Sequence, residues 1–420
     1  YNYADKYLFS GSFRRDGSSK FSEANRYGNF MGFSGGWNIH NESFFKVKKV
    51  NALKLRASWA EVGNQNINSY AFTPVIETGI NYPFGPNEDL NFGAIQRTYV
   101  DPNIQWETTV SSNIGLDLSM FDYRLNFSAD FYINDKRDML LQERLPASAG
   151  VYQPRAIGTY DVKVTNAGNM INRGMEFSLN YQDQTNFGLR YKIISTFTKN
   201  VNEITDLNGT EIGYANGRPV VSRGDNTDYI TFLAEGYEAG AFFLIQHAGV
   251  IKTEEELAAY KEIDGGAQLG DMRYIDQNGD GVINDSDRVY SGSGQPLFES
   301  GLALNLQYKG FDFYVQGYFS YGAEIYNGAK LYAYTAGRHL DQYYMWTPQN
   351  PDSDIPTDRQ NAFHNNVRAR SDYFLEDGTY LRIRNMNLGY NIAGMQNWGF
   401  ERARVYVSAL NPFTFTNYTG

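Results

Sequence analysis

The sequence predicts an all-β chain, and more narrowly a transmembrane antiparallel β-barrel with long extracellular loops. Three observations lead there. Runs that alternate apolar and polar residues with period two recur along the 420 residues. The connections between these runs alternate short and long, as periplasmic turns and extracellular loops do in outer-membrane barrels. Third, aromatic residues reach 16%, with 33 Tyr and 28 Phe, while hydrophobic residues total only 42% and mean hydropathy is -0.51. A wall with apolar side chains toward lipid and polar ones toward a wet lumen has that composition. No stretch approaches the roughly 18 apolar residues of a membrane helix, so any spanning structure has to be a closed barrel.

The elements follow in order. Residues 29–39 read as one extended strand, and Leu53, Leu55, Ala57 and Trp59 alternate with Lys54 and Arg56 in the next. Val110, Ile114, Leu116 and Leu118 oppose Thr109, Ser111, Asn113 and Asp117; after a tight turn at 120–123, Leu125, Phe127, Ala129, Phe131 and Ile133 oppose Arg124, Asn126, Ser128, Asp130 and Tyr132. This pair is a long hairpin. Met175/Phe177/Leu179/Tyr181, Leu302/Leu304/Leu306/Tyr308, Phe311/Phe313/Val315/Phe319 and Val405/Val407/Ala409 repeat the pattern. Between Tyr380 and Tyr390 the apolar phase slips from Leu381/Ile383 to Met386/Leu388, which predicts a bulge near Asn385. In all, roughly thirteen such segments are expected. Short connections fall near 40–50, 120–123, 183–188, 237–239, 309–310 and 393–400; long ones near 16–27, 62–104, 139–169, 202–228, 250–297 and 323–378.

A net charge of -10 argues against a nucleic-acid partner, which requires concentrated Lys and Arg. The absence of Cys removes disulfides, thiolate catalysis and sulfur-ligated metals together. Gly32-Phe-Ser-Gly-Gly36 matches the nucleophile-elbow pattern around Ser34, but that motif needs a strand-to-helix turn and here it lies within an extended run. His40, His247, His339 and His364 have no zinc-ligand spacing, and no phosphate-binding loop is present. The chain is not expected to be an enzyme.

Two loop features invite ligands. In Asp276-Gln-Asn-Gly-Asp-Gly-Val-Ile-Asn-Asp-Ser-Asp287, residues Asp276, Asn278, Asp280, Val282, Asn284 and Asp287 occupy the oxygen-donor positions of an EF-hand-like series, with Gly281 at the turn. A structural Ca²⁺ that stiffens an extracellular loop is expected. Asp at position twelve, in place of Glu, implies modest affinity, and an Asx-turn loop without metal is the alternative. Just upstream, Thr253-Glu-Glu-Glu256 is a capping-box helix start. The stretch 326–346 concentrates Tyr332, Tyr334, Arg338, Tyr343, Tyr344 and Trp346 as candidate substrate contacts; packing of the loop's own small core is the competing role. Tyr70, Phe72, Tyr82, Phe84 and Phe92 in loop 62–104 read the same way.

Several segments resemble the SusC/RagA-like TonB-dependent outer-membrane transporters: Asp16-Gly-Ser-Ser-Lys-Phe21, Leu53-Lys-Leu-Arg-Ala-Ser-Trp59 with Gly63-Asn-Gln65, and Asp101-Pro-Asn-Ile-Gln-Trp-Glu-Thr108. Asn113-Ile-Gly-Leu-Asp117, Asn172-Arg-Gly-Met-Glu176, Gly270-Asp-Met-Arg-Tyr-Ile-Asp276, Leu375-Glu-Asp-Gly-Thr-Tyr-Leu-Arg382 and Phe413-Thr-Phe-Thr416 extend the match in family order across nearly all of the chain. Ala60 in place of Gly, and Asn411-Pro412 in place of Asn-Leu, depart from the pattern.

The resemblance implies that residues 1–420 are the later strands of a barrel of about 22 strands, with the plug, the TonB-contacting segment and the final strand lying elsewhere in a longer protein. It implies TonB-dependent import of oligosaccharides, or sometimes peptides, across a bacterial outer membrane. Implied partners are a SusD-like surface lipoprotein, the TonB complex acting through the plug, and a second transporter–lipoprotein pair. Lys54, Arg56, Asp117, Arg124, Asp130 and Glu176 would line the lumen. The alternative from another class is a secreted or surface β-rich glycan-binding protein with a calcium-stabilised loop; a passive porin is a third reading.

Overall fold

The computed structural model describes residues 1–420 apart from 80, 97–98, 145–161, 208–211, 214–229, 336, 360–365, 369, 395–398 and 420. His364 and parts of the connections 139–169, 202–228, 323–378 and 393–400 therefore lie outside the described residues.

Twelve strands form one antiparallel sheet among the described residues: β1 (Asn2–Tyr3), β2 (Tyr7–Gly17), β3 (Tyr27–Asn38), β4 (Val50–Asn64), β5 (Glu107–Met120), β6 (Leu125–Arg137), β7 (Asn169–Gln184), β8 (Arg190–Asp206), β9 (Phe298–Tyr308), β10 (Phe311–Tyr321), β11 (Tyr380–Ile392) and β12 (Ala403–Thr416). Their spatial order is their chain order. Such a meander keeps every residue of one phase on one face, because the side-chain period is two and registry carries it from strand to strand. Thus Leu55, Leu116, Ala129 and Phe177 form one cross-strand row, and Arg56, Gly115, Asp130 and Glu176 form the adjacent row on the other face.

The apolar face has no protein over it. Ile114 is 63% exposed, Leu302 56% and Val407 74%. Aromatic rings on this face meet across strands: Phe177 stacks on Phe197 at 5.9 Å and Phe197 on Phe298 at 5.5 Å. An apolar sheet face of this extent is a lipid-facing surface rather than half of a sandwich, whose inner faces would be buried. No helix among the described residues is long and apolar enough to cross a membrane.

Tight turns close one end of the sheet. Between β9 and β10, Lys309 and Gly310 both take positive φ, 46° and 89°, as the two-residue hairpin turn that matches strand twist requires. Between β5 and β6, Phe121, Asp122 and Tyr123 all have positive φ. The side-chain oxygen of Asn51 holds that strained turn by accepting from the Asp122 and Tyr123 amides at 2.8 and 3.2 Å. The predicted bulge is present: registry shifts between Ile383 and Asn385 against both neighbours of β11.

The opposite end carries the long connections, and most fully buried residues sit there. Phe21, Phe30, Ile67, Ile104 and Trp106 form one cluster under the first two loops. The connections 207–297 and 322–379 fold together into a cap with cores of its own. Ile245 pairs in parallel with Ser371, Arg359 meets Asp271 at 3.0 Å, and His247 meets Asp372 at 2.5 Å. The predicted capping box is made: Thr253 accepts from the Glu256 amide at the start of α1 (Glu254–Tyr260).

The structure departs from the sequence expectation at one connection. The short turn near 237–239 is not a periplasmic turn between two spanning strands. The strand after it, Ala241–Ile245, has five residues and belongs to a small sheet inside the cap. Spanning would take about 9–11 residues. Its run Ala-Phe-Phe-Leu-Ile does not alternate because both of its faces are covered. Connections 202–228 and 250–297 are therefore parts of one excursion, which brings the strand number to twelve where roughly thirteen segments were expected.

Candidate functional site

The polar face of the sheet builds a wall from inward-phase residues of β4 to β8. Arg56 forks between two carboxylates: Nε and Nη2 donate to Asp117 at 2.8 and 3.0 Å, while Nη1 and Nη2 donate to Asp130, both at 3.0 Å. Gly115 makes room for the guanidinium, since a Cβ there would lie 2.7 Å from Arg56 Cζ. One cation thus serves two anions. Beside this group, Asn113, Tyr132, Asn134, Asn172, Glu176 and Asn200 line a cavity of about 510 Å³. The Tyr132 hydroxyl donates to Asn200 Oδ1 at 3.2 Å. Glu176 has no hydrogen-bond or ion-pair partner among the described residues. Amide side chains both donate and accept, so the shelf suits hydroxyl-rich or peptide-like ligands, with an acidic bias.

Of the expected lumen residues, Arg56, Asp117, Asp130 and Glu176 come together on this wall. Arg124 lies lower, paired with Asp183 at 2.9 Å near the tight-turn end. Lys54 faces Asp117 in the β4–β5 registry. The shelf asparagines were not singled out in the sequence. Their signal was available in the recurrence of Asn at inward phase in successive strands, at 113, 134, 172 and 200.

The 276–287 loop holds its side chains by its own backbone. Asp276 accepts from the Gly279 and Gly281 amides at 2.7 and 2.8 Å, and these bonds, Gly281's foremost, keep its carboxyl below the usual range. Asp280 accepts from the Val282 amide at 2.8 Å and from Asn278 Nδ2 at 3.0 Å. The Val282 carbonyl accepts from Asn284 Nδ2 at 3.2 Å. Asp287 is fully buried, accepting from Gln277 N and Asn284 N at 2.9 and 2.7 Å. All six expected donors lie on one loop, and its oxygens have the hard chemistry Ca²⁺ takes. No three His, Asp or Glu side chains converge as a metal-binding group among the described residues. The two asparagine side-chain oxygens accept from backbone amides, Asn278 Oδ1 from Asp280 N at 2.9 Å and Asn284 Oδ1 from Ser286 N at 2.7 Å.

The aromatic candidates divide. Trp346 is 7% exposed and packs with Ile245, Val250, Met272, Tyr274 and Ile283. Tyr334 is 5% exposed, edge-on to Phe374, with its hydroxyl 3.1 Å from that of Tyr373; burial pushes its pKa up. These two are core residues of the cap, contrary to the expected contact role. Tyr332, Arg338, Tyr343 and Tyr344 remain exposed. Tyr343 and Tyr344 meet edge to face at 5.2 Å on a single turn, Leu340–Tyr344, beside exposed Leu340. In the second loop Tyr70, Tyr82, Phe84 and Phe92 are exposed, while Phe72 packs against the cluster beneath. Ser34 lies within β3, which runs on to Asn38 before a single 3-10 turn at Ile39–Asn41, so Ser34 is not at a strand-to-helix turn and no nucleophile elbow forms.

Residues 1–327 match the family model described as TonB dependent receptor-like, beta-barrel. The chain is 30% identical over 425 residues to TonB-dependent receptor P3 of Formosa agariphila. It is also 30% identical over 438 residues to TonB-dependent receptor SusC of Bacteroides thetaiotaomicron. In both cases all of this chain aligns, and it spans 40% of the relative's length. The solved structure of the RagAB peptide transporter superposes with a TM-score of 0.77 at 22% identity, covering 99% of this chain and 42% of that one, a likeness of fold.

Proposed function

Since this chain belongs to the TonB-dependent receptor-like β-barrel family, whose barrels sit in the outer membrane, we propose that it forms the later wall of a transporter importing large nutrients under TonB drive. The relatives are receptors and transporters by name. The observation that carries the reading is the amide-rich, acid-biased shelf of Asn113, Asn134, Asn172, Asn200 and Glu176 on the face opposite the lipid. A surface-bound glycan-binding protein has no use for a polar wall behind a lipid-facing one. Oligosaccharides and peptides both offer the paired donors and acceptors that asparagine amides meet. Exposed Tyr343 and Tyr344 supply ring faces on the cap for first capture, and a SusD-like lipoprotein closing over the cap completes the enclosure.

The test is uptake. Deleting the full-length gene should abolish TonB-dependent entry of oligosaccharides or peptides too large for porins. Uptake that survives TonB depletion would make the protein a passive pore, and uptake unchanged by the deletion would reject the assignment.

We also infer that Ca²⁺ binds the 276–287 loop, supported by the donor order Asp276, Asn278, Asp280, Val282, Asn284 and Asp287. Bound metal would replace the loop's internal contacts and tie its carboxylates to one point. Asp276→Ala with Asp280→Ala should remove one calcium per chain while the barrel still assembles; unchanged stoichiometry would reject the site.

A further inference from the structure

On the lipid-facing side of β2 to β6 the sheet carries a trough of about 510 Å³. Its floor is made of small residues, Gly35, Ala57 and Ser112, and a Cβ on Gly35 would meet nothing within 4 Å. Phe33 and Trp59, stacked at 6.2 Å, form one wall. Ile133 closes the far end. In registry, Ser112 opposes Ile133, and Ile133 opposes Arg173 on β7. One strand on, Met175 opposes Lys199, which puts Arg173 and Lys199 diagonally adjacent on the same outward face. The apolar trough therefore ends at two cations.

These cations are unusual for their position. On the same face Arg137 is neutralised by Asp135 at 2.6 Å, and Arg15 lies over the Tyr27 ring at 4.8 Å. Arg173 and Lys199 are exposed, with no ion pair or hydrogen bond among the described residues. Glu203 follows on the outward face of β8 and pairs with neither.

Height explains what they face. From Leu125 beside the tight turn to Ile133 is eight residue steps, roughly 21 Å of membrane depth at about 3.4 Å per residue and about 40° tilt. The apolar band of such barrels is about 25 Å tall, so Arg173 and Lys199 lie at its upper rim, on the long-loop side. An unpaired cation at that rim is at headgroup depth.

We propose that Arg173 and Lys199 bind the phosphate of an outer-leaflet lipid whose acyl chain lies in the Gly35–Ala57–Ser112 trough. The inference rests on family membership and the sheet's orientation, not on the transported nutrient. Charge complementarity selects a phosphate over a neutral headgroup, and the contiguous apolar trough selects a lipid over free phosphate.

The experiment uses the full-length protein extracted from outer membranes and delipidated in detergent. Native mass spectrometry would measure retention of a bis-phosphorylated, acylated glycolipid, of the same glycolipid with its phosphates removed, and of inorganic phosphate. Arg173→Gln with Lys199→Gln should weaken the phosphorylated glycolipid on the order of ten- to thirtyfold and leave the dephosphorylated one unchanged. Gly35→Leu should weaken both, and the exchange Arg173→Lys with Lys199→Arg should retain binding, which controls for folding. Equal retention by the charge-removed protein would overturn the proposal. So would inorganic phosphate binding the wild type as tightly as the lipid does.

Discussion

The Trp346 indole lies directly against the bare backbone of Gly270, so that a Cβ at Gly270 would collide with the ring. Gly270 also has φ +87°, a conformation that disfavours side chains for a second reason. The contact joins two connections far apart in the chain, and the Thr357 amide donates to the Gly270 carbonyl at 2.8 Å beside it.

Gly270→Ala should loosen the cap by about 2–4 kcal/mol, combining overpacking with left-handed strain. Trp346→Ala should do so by about 3–5 kcal/mol through the cavity it leaves. Hydrogen exchange would report faster opening at Ile245, Met272 and Ile283, with exchange in β5–β8 unaltered. A change confined to ligand binding, without cap opening, would contradict the packing role.

Tyr343→Ala and Tyr344→Ala should behave in the opposite way. Both side chains are exposed, so cap stability should stay within about 0.5 kcal/mol of wild type. Capture of oligosaccharide or peptide should weaken by roughly five- to thirtyfold if one or two ring contacts are lost, at about 1–2 kcal/mol in total. Isothermal titration on the full-length protein separates the outcomes.

Arg56→Met removes the cation shared by Asp117 and Asp130. Stripping the partner from buried acids costs about 3–5 kcal/mol; with the Arg56 side chain 32% exposed and a wet lumen beside it, about 1–2 kcal/mol is expected. Urea unfolding in detergent should record this, and Asp117→Asn with Asp130→Asn in the same background should restore part of it.

Acid should act at both ends of the molecule. Glu42, in the turn after β3, accepts from the Tyr7 hydroxyl at 2.6 Å, Lys6 Nζ at 3.0 Å and Trp37 Nε1 at 3.0 Å, and these bonds, Tyr7's first, lower its pKa to about 2. Asp276 is lowered likewise by the Gly281 amide. A depressed folded-state pKa contributes stability that is complete above the unfolded value, near 4 for both groups, and is lost as pH falls through the folded one. Local exchange at 39–42 should therefore accelerate between pH 4 and about 2, and exchange at 276–287 should accelerate as pH falls below the unfolded-state value of Asp276. Glu42→Gln should flatten the first response only.

Much of the wall was readable because period-two alternation is a local signal that registry carries unchanged across strands. Leu125 to Ile133 faces lipid as read, and the bulge beside Asn385 falls where the apolar phase slips. The cap was harder to read. Ala241–Ile245 has no alternation to place it, since neighbours cover both of its faces. Trp346 and Tyr343 stand three residues apart in one aromatic stretch, yet one is core and the other surface. What separates them is contact with Gly270, Met272 and Ile283, which spacing within the stretch does not encode.

The cap's two halves flank the β9–β10 hairpin in the chain, so its interior cannot close until that hairpin has turned and brought 322–379 back beside 207–297. Synthesis delivers Ile245 about a hundred residues, and Met272 about seventy, before Trp346, leaving an apolar surface waiting for its plug of indole. Burial of Trp346 thus reports that the β9–β10 hairpin has formed, and its fluorescence would serve as a clock for that step.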